Sequence, residues 1–218
     1  MSSPVSDDAF AAPFHLLPKA EGDWRKTYEN PAIDISLVHN AFIRSLNTIV
    51  YWSRKVDSMS DKDKRDWFCY VELWAEALEH HHKLEESLIF PQLEEKLEKP
   101  QMASNVDAHR HILPGIEGLL SLTKQLINGE KQWNQRDFLA LLDTWLPTLN
   151  EHFKEEVVTL SADNIRSVPE RDVKEIFDKV TKHIQQTYSF DRDVPFVGTC
   201  LDRQAEPDFP PWPFFIVW

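Results

Sequence analysis

A chain of 218 residues that is 42% hydrophobic is long enough for one domain with a real core, and 36 acidic against 24 basic residues leave a net charge of −12. That acidity, with no basic stripe anywhere along the chain, argues against nucleic acid and anionic membrane as partners. The N-terminus lacks a basic start followed by an apolar run, no stretch is apolar enough to cross a bilayer, and Cys69 and Cys200 are too few for a disulfide framework, so a cytoplasmic protein is expected, its acidic surface compatible with a monomer.

Residues 1–30 carry three prolines and few periodic apolar positions, which predicts an extended arm. Beyond them apolar residues recur at alternating three- and four-residue steps with almost no strand-like alternation, and glycine is scarce at 5 residues, so the class is all-α. A first helix is expected from about Pro31 to Val56, a second from about Lys62 to Lys96, a third from about Gln101 to Asn128 with Gly129 ending it, and a fourth from about Gln135 to Leu160. Short polar connectors, "DSMSD", "EKP" and "NGEKQWN", favour an up-down-up-down four-helix bundle over residues 31–162. An additional amphipathic helix is expected from about Glu170 to Thr187. The end, "VPFVGTCLDRQAEPDFPPWPFFIVW", reads as an extended proline- and aromatic-rich tail and not as regular helix, and residues 163–218 are expected to pack on the bundle.

The segment "EALEHHHKLEESLIFPQLEE", Glu76 to Glu95, sets three consecutive histidines just ahead of a glutamate cluster. Stepping inward along the second helix gives Trp67, Val71, Trp74, Leu78, His81, Glu85 and Leu88, so His81 and Glu85 are the inward pair, while His82 and Glu86 flank it and their loss is expected largely to leave metal in place, Glu86 standing in solvent or behind a ligand histidine that it orients. The first helix offers Ile35, His39, Phe42, Leu46 and Ile49; the third Met102, Val106, His109, Leu113, Ile116 and Leu120; the fourth Phe138, Leu142, Trp145, Leu149, His152, Glu156 and Leu160. In an antiparallel bundle with a rise of ~1.5 Å per residue, His39, His81, Glu85, His109, His152 and Glu156 converge on one layer on the order of 12 Å from one end. A buried histidine alone is ordinarily a hydrogen-bonded core residue. Four imidazoles and two carboxylates buried with no inward Lys or Arg need cations instead, since unpaired carboxylates cost on the order of several kcal/mol each. With no thiolate and too many donors for one tetrahedral zinc, the set suits two bridged ions, iron first and manganese second, with open positions for O2, peroxide or NO.

These residues resemble the hemerythrin-like, or HHE cation-binding, family over roughly Pro31 to Leu160. The similarity is carried by "VHNAFIRSLN", "HHHKLEESLIFP", "DAHRHILPGIEGLL" and "WLPTLNEHFKEEVVTL", and the aromatic tail is similar to fungal members. Two departures from the oxygen carriers of the family stand out: Leu113 occupies the place of a second third-helix imidazole, and the last carboxylate is Glu156, position 157 being Val. The resemblance thus implies a four-His, two-Glu diiron protein with a more open, less symmetric metal pair than the carriers have. Three functions compete. An enzyme using O2 to oxidise a small organic substrate predicts a pocket beside the metals. A carrier, store or sensor predicts a closed bundle admitting only a diatomic ligand. A structural metal site predicts unfolding on metal removal.

Overall fold

The computed structural model describes residues 14–189, 191–203 and 209, and every regular element among them is helical. Helix α1 (Asn30–Ser53) carries Pro31 in its first turn, where a missing N–H costs nothing, and buries Ile35, His39, Phe42, Leu46 and Ile49 along one face, as the spacing predicts. Helix α2 (Asp61–Leu84) is capped by Ser60, whose hydroxyl accepts the Asp63 N–H at 3.2 Å. Helix α4 (Ala103–Ile127) ends ahead of Gly129, which takes the left-handed φ of 72° that closes the last turn.

The second and fourth expected helices are both interrupted, and proline explains each break. After α2 the backbone makes one wide π turn, Glu85–Ile89, and resumes as α3 (Phe90–Glu94). Pro91 has no N–H to give Ser87, and in a regular α turn its ring would press on that carbonyl; the wide turn removes the conflict. The extra residue advances the buried face by one, so Ile89 and Phe90 are buried while Leu88, expected inward, is half-buried. Pro147 acts in the same way on the fourth helix, which divides into α5 (Gln135–Asp143) and α6 (Leu146–Thr159), the proline standing in the first turn of α6. The predicted face survives the break: Phe138, Leu142, Trp145, Leu149, His152, Glu156 and Leu160 are all buried.

On α4 the buried stripe lies to one side of the expected one. Asn105, His109, Ile112, Ile116, Leu119, Thr123 and Leu126 are inside, and Leu113 is 40% exposed. Asn105 and Thr123 make the true face more polar than its neighbour through Val106, Leu113 and Leu120, so hydropathy alone selects the wrong edge.

Helix α1 packs on α2 and α6, and α4 packs on the same two, closing a ring of four. Outside it lie α7 (Ala162–Ile165), α8 (Glu170–Thr187) and α9 (Asp193–Cys200). Helix α9 corrects the expectation of a tail without regular helix: Pro195 falls in its first turn, where it is tolerated, and Phe196 and Cys200 are buried where α9 lies on α1. Beyond Leu201, Asp202 and Arg203 the rest of the expected tail, Phe209 excepted, lies outside the described residues, as do residues 1–13 of the expected arm. From Phe14 the arm runs irregularly along α1, held by Asn47, Asn40 and Ser36, whose side chains accept the N–H groups of Phe14, Leu17 and Ala20.

Two apolar clusters make up the core. The larger includes Phe42, Leu46, Trp74, Leu78, Ile112, Ile116, Leu149 and Phe153. The smaller joins Ile35, Ile89, Phe90, Leu93, Met102 and Leu160 to Val173, Ile176 and Val180 of α8. Each helix of the ring passes from one cluster to the other, and the polar residues predicted to converge lie at that seam.

Candidate metal centre

His39 lies between Ile35 and Phe42 on α1, His109 between Met102 and Ile112 on α4, and His152 and Glu156 flank the turn between Leu149 and Leu160 on α6. On α2, His81 follows Leu78 by one turn, and Glu85 opens the π turn. The structure therefore brings all six predicted side chains to one layer, and they are buried, with His81 the most exposed at 8%.

His82 joins them. It was expected on the flank, yet it is 6% exposed and its ring stacks on His109 with centroids 3.9 Å apart. Helix α2 meets both α1 and α4, so its buried arc is wider than a single stripe. The sequence carries a signal for this at seven-residue steps: Phe68, Ala75, His82 and Ile89 are all buried, one position on from Trp67, Trp74 and His81. His111 does not join; it is exposed, and its Nδ1 donates to the Asp107 carbonyl at 2.7 Å.

The donors form two groups that share one residue. His82, Glu85, His109 and His152 present ligand atoms all within 4.8 Å of one another, and His39, His81, Glu85 and Glu156 do the same. Glu85 spans both, with Oε1 3.1 Å from His81 Nε2 and Oε2 3.6 Å from His109 Nε2. Glu156 Oε2 lies 3.2 Å from His39 Nε2 and 3.4 Å from His152 Nε2, and His109 Nε2 and His152 Nε2 are 3.0 Å apart. Two atoms each ~2.1 Å from one cation stand ~3.0 to 3.4 Å from each other for right-angle or tetrahedral arrangements. Within the quartets the His81–Glu85, His39–Glu156 and His109–His152 spacings of 3.1, 3.2 and 3.0 Å fall in that range, and His109–Glu85 at 3.6 Å lies just beyond it.

Two rings are fixed from behind. His39 Nδ1 donates to the Phe153 carbonyl at 3.1 Å, and His109 Nδ1 donates to Glu86 Oε1 at 2.9 Å, which leaves each Nε2 lone pair facing the cluster. Of the two places expected for Glu86, solvent or behind a ligand histidine, the structure has the second. His39 Nε2, His81 Nε2, His82 Nε2 and all four oxygens of Glu85 and Glu156 have no hydrogen-bond partner among the described residues. No Lys or Arg among those residues pairs with either carboxylate; the ion-pair contacts they make are to imidazoles.

Burial sets the protonation of the metal-free cluster. It pushes His81 and His82 well below the usual imidazole range, helped by neighbouring rings, holds His109 down, and takes His152 down to about 3. All four rings are therefore neutral and ready to ligate at pH 7. Burial, and then the Glu156 charge, lift the Glu85 carboxyl well above its ordinary range. Burial also raises Glu156, as its largest single influence, but the polar contact of the adjoining His39 ring, with the nearby His152 and His81 rings, outweighs it and holds that group at about 2. Two carboxyls in one dry layer share their proton unequally, as like charges must. A cation in each quartet would discharge both and give every orphaned lone pair a partner, so the residues fit metal.

A four-helix ring with an internal layer of imidazoles and carboxylates defines a class of helical-bundle cation-binding proteins. The hemerythrin HHE cation-binding domain matches residues 34–162, and the chain belongs to that family. It is also 29% identical over 210 residues to "Dimeric xanthone biosynthesis cluster protein R11" of Cryptosporiopsis sp. (strain 8999), a match covering 94% of this chain and 78% of that protein. No solved structure matched the chain.

Proposed function

We propose that the chain is a non-heme diiron protein that binds O2, or a related diatomic or peroxide ligand, and uses it to oxidise a small organic substrate. The observation that carries the reading is the pair of donor quartets sharing Glu85. Mixed imidazole and carboxylate donors without thiolate suit iron, with manganese as the alternative. When bound, a diferrous pair would supply two electrons to O2, one from each ion. The protein's share is to hold the pair: Glu85 links the quartets, the Phe153 carbonyl and Glu86 aim His39 and His109, and the flanking apolar clusters exclude water.

The relative's name assigns that protein to dimeric xanthone biosynthesis, and by extension an electron-rich phenolic aromatic is the substrate class to test first. A second reading, a carrier or sensor without turnover, is favoured by the burial of every donor, which restricts direct contact to a very small ligand. The deciding experiment is iron per chain on anaerobically reconstituted protein, then O2 uptake with and without a panel of phenols. Two irons per chain and phenol-dependent uptake support the oxidase reading. Two irons with reversible O2 or NO binding and no phenol dependence support the second, and one zinc or no metal refutes both.

A further inference from the structure

We infer that His82 is a metal ligand, and that the two ions of the site are consequently unlike, one facing three imidazoles and the other two. The inference rests on the two-ion reading above and adds to it a residue that the helical stripes leave outside.

Consecutive residues on a helix point ~100° apart. Because α2 sits between α1 and α4, that angle sends His81 and His82 to different partners. The His81 ring meets His39 edge-on at 5.3 Å and lies 5.2 Å from Phe42, both on α1. The His82 ring stacks on His109 of α4 at an interplanar angle of 15° and meets His152 of α6 edge-on at 5.3 Å. A histidine kept only for packing would bury its nitrogens against hydrogen-bond partners. His82 Nε2 has none among the described residues, and the residue offers a ligand atom within 4.8 Å of those of Glu85, His109 and His152.

The quartets then differ in charge. One gathers His82, His109 and His152 around Glu85, and the other His39 and His81 around Glu85 and Glu156. Anionic oxygens stabilise the higher metal charge better than neutral nitrogens do, so the two irons should be spectroscopically distinct.

The test uses His82→Phe, which keeps a flat ring against His109 and removes only the nitrogens, beside His82→Ala. Iron per chain and the Mössbauer spectrum are recorded on anaerobically reconstituted full-length protein, with the fold checked by circular dichroism. Wild type is expected to hold two irons in two distinct environments, and His82→Phe about one, with one environment gone. Added imidazole should return the second iron to His82→Ala. His82→Phe with two irons and the wild-type spectrum would overturn the inference and leave His82 a packing residue. Wild type with fewer than two irons would defeat the two-ion reading itself, a separate outcome.

Discussion

Gly115 of α4 is where the frame that positions the cluster is most sensitive. A Cβ added there would stand 2.2, 2.3 and 2.5 Å from Cγ, Cδ1 and Cδ2 of Trp145, whereas carbon atoms in contact sit ~3.5 to 4.0 Å apart. Either the indole or a helix must therefore yield by more than ~1 Å. Trp145 is 2% exposed and lies 6.0 Å from the Trp74 ring, so it has nowhere to go without moving α6, on which His152 and Glu156 ride. Gly115→Ala gains ~1 kcal/mol of helix propensity and, with an overlap this deep, loses ~2 to 3 kcal/mol to overpacking. A net loss of about 1 to 2 kcal/mol lowers Tm by about 2 to 8 °C in a chain of this size. Gly118→Ala is the control: its Cβ would meet only Leu141 Cδ1, at 3.3 Å, the end of a flexible side chain, and Tm should hold or rise. Thermal melts of metal-loaded and chelated protein, with iron affinity by chelator competition, measure both effects. A Gly115→Ala protein melting at or above wild type would refute the close-packing account, and so would equal losses from the two substitutions.

Two further outcomes follow from the cluster. Glu86→Ala removes the acceptor that aims His109, and iron affinity should fall by about 10- to 100-fold with the fold intact, Glu86→Gln recovering part of it; unchanged affinity in a chelator titration would deny Glu86 that role. Chelated protein should lose stability on acidification from pH 6 to 5. His81, His82, His109 and His152 are held below their unfolded values by burial, so below about pH 6.5 the unfolded chain binds more protons than the folded one, and each ring costs up to about 1.4 kcal/mol per pH unit. Glu85, raised by burial, and Asp34, held up at about 6 by burial, act with the opposite sign as pH falls through this window. Four losses against two gains leave a net fall of about 3 kcal/mol per unit, and a urea midpoint that is flat or rises from pH 6 to 5 would contradict it.

How much of this was legible in the sequence depended on whether one stripe of residues suffices to describe a helix. On α1 and along α5 and α6 every residue of the predicted faces is buried, although α1 also buries other registers, Ser36, Asn40 and Asn47 among them where the N-terminal arm lies on it. On α2 one stripe did not suffice, because a helix wedged between two partners buries two adjacent registers, and His82 lies in the second. On α4 the true face contains Asn105 and Thr123, so a rule that follows hydropathy slides to Leu113. That slip bears on the site. Leu113 stands where the carriers in the family are expected to place an imidazole, and the sequence therefore implies one ring fewer; the structure points Leu113 outward and fills the count to five from α2. Proline positions were visible from the start, but their effect on register was not, since whether Pro91 and Pro147 kink, widen or restart a helix depends on what the following turn packs against.

The seam between the two apolar clusters explains why this fold and this site require one another. Seven polar side chains across the section of a bundle divide its core into a large cluster and a small one, with the half-buried Val157 packing against both. In the metal-free state the layer contains two carboxyls with no Lys or Arg partner among the described residues and imidazoles with orphaned nitrogens, costs of burial that the neighbouring rings offset at Glu156 but not at Glu85. The π turn at Glu85–Ile89 adds to the requirement: it starts at the one carboxylate common to both quartets, so the backbone irregularity that Pro91 imposes falls where the shared ligand must be aimed. Cations in this layer would join α1, α2, α4 and α6 through their own side chains. The free energy of binding them is then also free energy of closing the ring.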